Sequence, residues 1–188
     1  MPSPFSIKIR KALPSDLEEL RLISQTTFIE AFARQNTEEN MRKYMSESFS
    51  PDKLANELSN THSEFYLAIS GKKTIGYLKI NSHEAQTELK DARSLEIERI
   101  YVLKEFYGKK AGQLLLGKAI QLTMQKNMRY LWLGVWEKNP RAISFYKKNG
   151  FVEFDRHIFK LGDDEQTDII MKLEIKPILQ SGLKREFH

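Results

Sequence analysis

Two glutamates in the segment SLEIERIYVL, Glu96 and Glu98, alternate with apolar residues. In a β-strand such alternation places both side chains on the same face. A pair of carboxylates on one face can take a proton from a substrate, and it can also attract a cation. A solvated strand face would show the same pattern, so the alternation alone leaves both interpretations open.

The same segment shows a change of phase in its apolar residues. Leu95 and Ile97 occupy odd positions, Ile100 and Val102 occupy even ones, and Arg99 stands where an apolar residue is due. One extra residue, a β-bulge, explains this change. A bulge leaves backbone N–H groups unpaired, and such groups can hold or polarise a carbonyl oxygen. An irregular strand end is the simpler alternative.

The segment YGKKAGQLLLGKAI follows this strand and combines a glycine turn, two lysines and an apolar helix. A helix N-terminus offers unpaired N–H groups and the positive end of the helix dipole. We therefore expect residues 108–113 to bind an anion such as a pyrophosphate. The dinucleotide-binding fingerprint and the Walker motif are both absent, and a plain loop remains the alternative.

A continuous apolar run, YLWLGVW, comes next and is typical of a strand buried on both faces. The sequence EKNPRAISFYKKNGF follows it, with Pro140 placed to start a short helix and Gly150 beyond its end. The hydroxyl group of Tyr146 on that helix can reach a cleft beside the strands. An aromatic residue at helical spacing is also typical of a core.

The remaining pattern predicts an α/β fold with a mixed sheet of about seven strands and helices on both faces. Ser15 and Glu18 form the pattern of a capping box at the start of the first helix. Helices are predicted at about 15–32, 37–47, 109–126 and 140–148, and a further helix is predicted to open at residue 50. Strands are predicted at 7–11, 65–70, 74–80, 95–103, 129–136, 151–161 and 167–175, the last two joined by an acidic turn at 162–165.

Composition limits the class of protein. The 188 residues are 40% hydrophobic and include no cysteine, which excludes disulfides, a thiolate metal site and a cysteine nucleophile. The net charge of +5 arises from scattered residues, so we expect no nucleic-acid partner. No segment has the pattern of a signal peptide or a membrane span, which favours a cytoplasmic location without membrane contact.

We expect one domain over residues 1–175 and a flexible tail over 176–188. The four histidines lack metal-ligand spacing, and no metal site is expected.

The bulged strand, the basic glycine turn and the strand followed by NPRAISFYKKNGF, in this order, resemble the GNAT acetyltransferase superfamily. Within it, SLEIERIYV, WLGVWEKN, AISFYKKNGF and GDDEQTDIIM are most similar to the Pai-type spermidine/spermine N-acetyltransferases. This resemblance covers nearly the whole chain and implies the GNAT fold.

The resemblance implies that acetyl-CoA is the cosubstrate and lies between two central parallel strands. Its pantetheine arm would pair with the backbone of the first strand at Ile100, Tyr101 and Val102. The family's pyrophosphate turn begins with Gln or Arg and has glycine at its fourth position; here Tyr107 and Lys110 depart from it. We expect Lys110 in the first helical turn with an ordinary backbone conformation. The full set implied to bind the cosubstrate is Ile100, Tyr101, Val102, Gly108, Lys109, Lys110, Ala111, Gly112, Gln113, Asn139 and Lys148.

The resemblance further implies direct attack of an amine on the thioester, with Tyr146 giving a proton to the departing thiolate. We assign Glu98 as the base or water-positioning group and Glu96 as a substrate-binding group. The expected substrate is a small-molecule primary amine, most simply a polyamine. The alternatives are a protein or drug amine as acceptor, a non-catalytic sensor of CoA or polyamines, and a nucleic-acid-binding regulator. A homodimer is compatible with the sequence.

Overall fold

The computed structural model describes residues 6–161 and 164–175, and seven strands in this part of the chain form one mixed sheet. Its order is β1-β2-β3-β4-β5-β7-β6, and the pairing of β4 with β5 is parallel, while the other five pairings are antiparallel. The strands are β1 (Ile7–Lys11), β2 (Ser63–Ser70), β3 (Lys73–Ser82), β4 (Ser94–Val102), β5 (Tyr130–Trp136), β6 (Val152–Leu161) and β7 (Asp164–Glu174).

Five α-helices within the described ranges cover the two faces of this sheet, as the sequence predicts. They are α1 (Leu17–Phe32), α2 (Glu38–Ser48), α3 (Pro51–Ser59), α4 (Ala111–Gln125) and α5 (Pro140–Lys148). One core lies between α1–α3 and one face of the sheet, and a second core lies between the other face and α4 and α5. No helix in the described ranges is both long and apolar enough to cross a bilayer.

The starts of the helices follow their capping residues, with one correction. Thr37 and Ser50 accept hydrogen bonds from backbone N–H groups of α2 and α3, as expected of N-caps. The predicted capping box at Ser15 is wrong, because residues 14–16 form a short 3-10 turn and α1 begins at Leu17. Asp16 instead accepts a hydrogen bond from Leu13 N at 2.7 Å and pairs with Arg10.

The predicted β-bulge is confirmed in β4. Lys79 of β3 pairs with Arg99, and the next residue, Ile80, pairs with Ile97, so Glu98 is the extra residue. Leu95 and Ile97 on one side of it belong to the core beneath α4, and Ile100 beyond it packs against the same core. The extra residue therefore preserves the apolar face of β4 across the change of phase.

The parallel strands separate beyond the bulge. β4 and β5 are paired from Ser94 with Tyr130 to Ile97 with Leu133, and their pairing ends there although both strands continue. A bulge increases the local twist and bends its strand, which accounts for the divergence. The result is an opening between the C-terminal arms of β4 and β5, where parallel sheets commonly bind ligands.

The turn before α4 differs from the expectation for Lys110. Gly108 and Lys110 both have left-handed backbone conformations, with φ of +78° and +67°, and Lys110 is the N-cap of a helix that begins at Ala111. The predicted ordinary conformation of Lys110 in a helical turn is therefore wrong. Its side chain carries a steric cost that glycine at this position would avoid.

Two sequence predictions concern residues beyond the described ranges. The tail predicted at 176–188 lies outside them, as do Gly162 and Asp163 of the predicted acidic turn. β7 begins at Asp164, inside the predicted turn, so the prediction that residues 164 and 165 belong to the turn and that the strand starts at 167 is wrong.

Replacing Lys110 with glycine is expected to raise the free energy of unfolding by about 0.5 to 1 kcal/mol, because relief of the left-handed strain exceeds the added entropy of the unfolded chain. Lys109→Gly is the matched control, since it removes the same charge at a neighbouring residue without positive φ, and it should lower stability slightly. Urea unfolding of both variants measures the difference. Equal effects of the two substitutions would contradict the strain at Lys110.

Candidate active site

A cavity of about 810 Å³ occupies the opening between β4 and β5 and continues beneath α1 and beside the N-termini of α4 and α5. Most of the residues predicted to form the site contribute to its wall. They are Glu96, Glu98, Ile100, Tyr101, Val102, Gly108, Lys110, Ala111, Gly112, Gln113, Asn139 and Tyr146. Lys109 and Lys148 do not line the cavity, and their contact with a cosubstrate stays a prediction.

The end of the cavity beside α4 is suited to an anion. The first residues of α4 present helix N-terminal N–H groups there, and Lys110 adds a cation. Arg141, in the first turn of α5, also lines this end, with its guanidinium group 3.8 Å from the centre of the Tyr107 ring. Sequence reasoning missed Arg141, although its position directly after Pro140 at a helix start was a usable signal.

Tyr146 faces the cavity from α5. Asn139 caps this helix by accepting a hydrogen bond from Ala142 N at 3.1 Å, which fixes the helix start next to the end of β5. The side chain of Tyr146 is only 7% exposed and packs against Phe145 and Phe151. Burial raises the pKa of Tyr146 above its ordinary value, so the phenol stays protonated at neutral pH and can act as a proton donor.

Glu96 is a deeply buried carboxyl group on the cavity wall, with 3% exposure. It accepts hydrogen bonds from Thr87 N at 2.8 Å, from Thr87 Oγ1 at 2.5 Å and from Asn81 Nδ2 at 3.2 Å. Burial raises its pKa to about 7 despite these hydrogen bonds, which act in the opposite direction. A carboxylate with this pKa is suited to accept a proton at neutral pH.

The segment that carries Thr87 is held against the sheet by a buried side chain. Trp132 of β5 donates a hydrogen bond from Nε1 to Gln86 Oε1 at 2.7 Å, and Ser94 Oγ donates to the same oxygen at 2.9 Å. Gln86 is itself 1% exposed. The position of Thr87, and through it that of Glu96, therefore depends on contacts with both central strands.

Glu98, unlike Glu96, lies among cationic side chains. Its carboxylate lies 2.5 Å from Lys79 Nζ and 3.0 Å from Arg99 Nη2, and both cations also lie 3.0 Å from carboxylate oxygens of Glu57 on α3. Burial acts to raise the pKa of Glu98, but the charges of Arg99 and Lys79 outweigh it and the pKa falls below its ordinary value. Glu98 is therefore a weak proton acceptor, and the charges favour Glu96 over Glu98 as the base.

The end of the cavity beside β7 is acidic. Asp168, Glu88 and His157 line it, and His157 Nδ1 lies 3.2 Å from Glu88 Oε2. Burial raises the pKa of Asp168 to about 6, so this carboxyl group is largely ionised at slightly alkaline pH, and burial also raises the pKa of Glu88. Gly134 leaves room for Asp168, because a Cβ atom there would lie 3.3 Å from Asp168 Oδ2. Sequence reasoning missed these groups because strand pairing places His157 beside Asp168, whereas Glu88 comes from the connection before β4.

Aromatic rings form the remaining wall beneath α1. The ring of Phe32 lies 6.3 Å from that of Tyr101 at the end of β4 and 6.3 Å from that of Trp136 at the end of β5. Phe28 stacks on Tyr44 with 4.4 Å between ring centres. Rings of this kind can accommodate an aliphatic chain and can attract its ammonium group.

Comparisons with known proteins agree with these features. Residues 25–151 match the model of the acetyltransferase (GNAT) family. An uncharacterised N-acetyltransferase from the pepI 3' region of Lactobacillus delbrueckii subsp. lactis is 39% identical over 88% of this chain and 96% of its own length. The spermidine N(1)-acetyltransferase of Thermoplasma acidophilum is 29% identical over 89% of this chain and 97% of its own length.

Solved structures match as well. The PaiA N-acetyltransferase of Thermoplasma acidophilum, in complex with coenzyme A, has a TM-score of 0.75 and 29% sequence identity, over 90% of this chain and 99% of that one. The predicted fold and the resemblance stated from the sequence are thereby confirmed. The roles of individual site residues stay predictions.

Glu96→Gln is expected to raise the free energy of unfolding by about 1 to 3 kcal/mol at pH 8 and to change it little at pH 5. The folded-state pKa of Glu96 lies above the unfolded value, so ionisation of this carboxyl costs stability as pH rises from about 4.5 to 7, and glutamine removes that cost. Urea unfolding of the wild type and of Glu96→Gln at the two pH values measures this change in the free energy of unfolding.

Glu98→Gln provides the comparison. It leaves Lys79 and Arg99 short of a counter-ion, so it should lower stability at both pH values. A gain from Glu96→Gln that is the same at pH 5 and pH 8 would contradict the raised pKa.

Proposed function

The chain belongs to the GNAT acetyltransferase family and is an acetyl-CoA-dependent N-acetyltransferase, and from this premise we propose that its acceptor is a polyamine such as spermidine or spermine. The observation that carries the proposal is the division of charge within one cavity. Lys110, Arg141 and the start of α4 make one end positive, whereas Asp168 and Glu88 make the other end negative.

The residues at the positive end fit coenzyme A. Helix N-terminal N–H groups and two cations suit its phosphates. The arm of β4 at Ile100, Tyr101 and Val102, which is not paired with β5, offers backbone groups to the pantetheine. Acetyl-CoA, when bound, supplies an activated acetyl group to the amine. The similarity to a structure that contains coenzyme A supports this assignment.

The negative end fits a polycation. An aliphatic amine has a pKa of about 10 and arrives charged at neutral pH. Asp168 and Glu88 can pair with an amino group remote from the reacting one, and the rings of Phe32, Tyr101 and Trp136 can pack against the methylene chain. The similarity to a spermidine N(1)-acetyltransferase points to the same substrate class.

The reacting amine must lose a proton before it attacks. We assign this step to Glu96, directly or through a water molecule, because its carboxyl has a pKa of about 7 and borders the cavity. Glu98, whose negative charge is held by Lys79 and Arg99, then keeps the bulge in place. Backbone N–H groups at the bulge are suited to stabilise a negatively charged oxygen, and Tyr146 donates a proton to the departing sulfur.

Tyr146→Phe is expected to lower kcat about 100-fold or more with spermidine, because the variant lacks the proton donor while keeping the ring that fills the site. The KM for acetyl-CoA should change little. Release of free CoA from acetyl-CoA measures both constants. Tyr130→Phe is the matched control, since its hydroxyl bonds to Asp91 away from the cavity. Full activity in Tyr146→Phe would remove Tyr146 from the mechanism.

A panel of amines tests the acceptor. The panel contains spermidine, spermine, a monoamine such as butylamine, an aromatic amine and a peptide with a free N-terminus. The two polyamines are expected to give the highest kcat/KM. A preference for the peptide or the aromatic amine would establish a protein or drug amine as acceptor. If acetyl-CoA binds and no amine stimulates turnover, the polyamine proposal fails and a role in sensing CoA or polyamines is favoured.

Asp168→Asn is expected to raise the KM for spermidine about tenfold and to leave that for butylamine nearly unchanged, because a monoamine has no second charge to place at this end of the cavity. Asp52→Asn is the control, since Asp52 is an exposed residue of α3 that does not line the cavity. Equal effects on both amines would contradict a remote amino group at Asp168.

A further inference from the structure

Asn81 lies behind the cavity wall, between the two carboxylates of β4. It belongs to β3, pairs directly with Glu96 across the sheet and is 1% exposed. Its Nδ2 atom donates to Glu96 Oε2 at 3.2 Å and to Glu98 Oε2 at 2.6 Å. An amide nitrogen carries two hydrogens, so one Asn side chain can serve both carboxylates at once.

The orientation of this amide is fixed from its other end. Ser63 Oγ on β2 donates to Asn81 Oδ1 at 2.9 Å, and Ser63 is itself buried. The reverse orientation would turn the amide oxygen towards two carboxylates, which offer no hydrogen when ionised. The nitrogen must therefore face Glu96 and Glu98.

The bulge makes this sharing possible. Glu98 is the extra residue of β4, so its carboxylate reaches the amide that already faces Glu96. On its other side Glu98 contacts Lys79 and Arg99, which both pair with Glu57. A continuous series of buried contacts thus joins α3 to the carboxyl group that borders the cavity.

From this geometry we propose that Asn81 is a positioning residue that holds Glu96 in its reactive orientation and sets its proton affinity through the amide shared with Glu98. The proposal rests on the proposed role of Glu96 as the base. Asn81 touches no part of the cavity, so its effect on the reaction is transmitted through Glu96.

The groups near Glu96 determine in which direction each substitution shifts the pKa of Glu96. Glu98 raises the pKa of Glu96 by repulsion, whereas the hydrogen bond from Asn81 lowers it. Loss of the amide should therefore raise the pKa, and loss of the charge of Glu98 should lower it. The other charged or titratable groups that line this region or belong to the same contacts are Glu57, Lys79, Glu88, Arg99, His157 and Asp168.

The test is the pH dependence of kcat/KM with spermidine in Asn81→Ala and Glu98→Gln, together with a carbon-13 NMR titration of the Glu96 carboxyl. Asn81→Ala is expected to move the acidic limb of the pH profile upward by about one pH unit. kcat/KM should then fall about tenfold at pH 6 and return to the wild-type value above pH 8. Glu98→Gln should move the same limb downward. Ser63→Ala, which frees the amide without removing it, should give a smaller upward shift and serves if Asn81→Ala does not fold.

Thr123→Ala is the matched structural control, because Thr123 is a fully buried polar residue of α4 without contact to either carboxylate. It should lower stability and leave the limb in place. The same behaviour in Asn81→Ala and Ser63→Ala, with lower activity at every pH and no shift, would overturn the proposal.

Failure of the proposed function gives a different result. If Glu96→Gln keeps the acidic limb, Glu96 is not the base. The NMR titration then decides the positioning role: an upward shift of the Glu96 pKa in Asn81→Ala supports it, and an unchanged value refutes it.

Discussion

A single extra residue in β4 determines most of the site. Because Glu98 has no partner in β3, the strand bends, and its arm separates from β5 after four paired residues. The cavity opens at that point, and the backbone of β4 beyond it stays paired with β3 but has no neighbouring strand on the side of β5. The bulge thus turns a continuous sheet, which would have no room for a ligand, into one with a binding site at its centre.

The bulge also gives two nearby carboxyl groups different chemistry. Glu98 contacts Lys79 and Arg99 and stays ionised, whereas the described groups that donate hydrogen bonds to Glu96 are neutral and its pKa is raised. Two carboxylates that share a donor would otherwise titrate together. Buried ion pairs often add little stability, since removing charges from water costs about as much as their attraction returns. The pairs around Glu98 are better explained by the separation of roles than by stability.

Local sequence patterns predicted the elements and the bulge, because both depend on the periodicity of apolar residues along one segment. The phase change between Ile97 and Ile100 was enough to locate the bulge. The same patterns failed at Lys110, whose left-handed backbone departs from the preference of its residue type, and at Ser15, where a 3-10 turn replaced the expected cap. Lys79, Asn81 and Asp168 were missed because their roles come from neighbouring strands, which no local pattern reports.

The short parallel pairing has a mechanical consequence. Among the described strands, the four residue pairs between β4 and β5 are the sole ladder that joins β1–β4 to β5–β7. The two parts of the sheet therefore meet at a narrow joint. Helix α4 packs against both β4 and β5 and crosses this joint. The helix therefore reinforces the connection between the two halves of the sheet, so the element that braces the opening is the same one whose N-terminus borders the cavity.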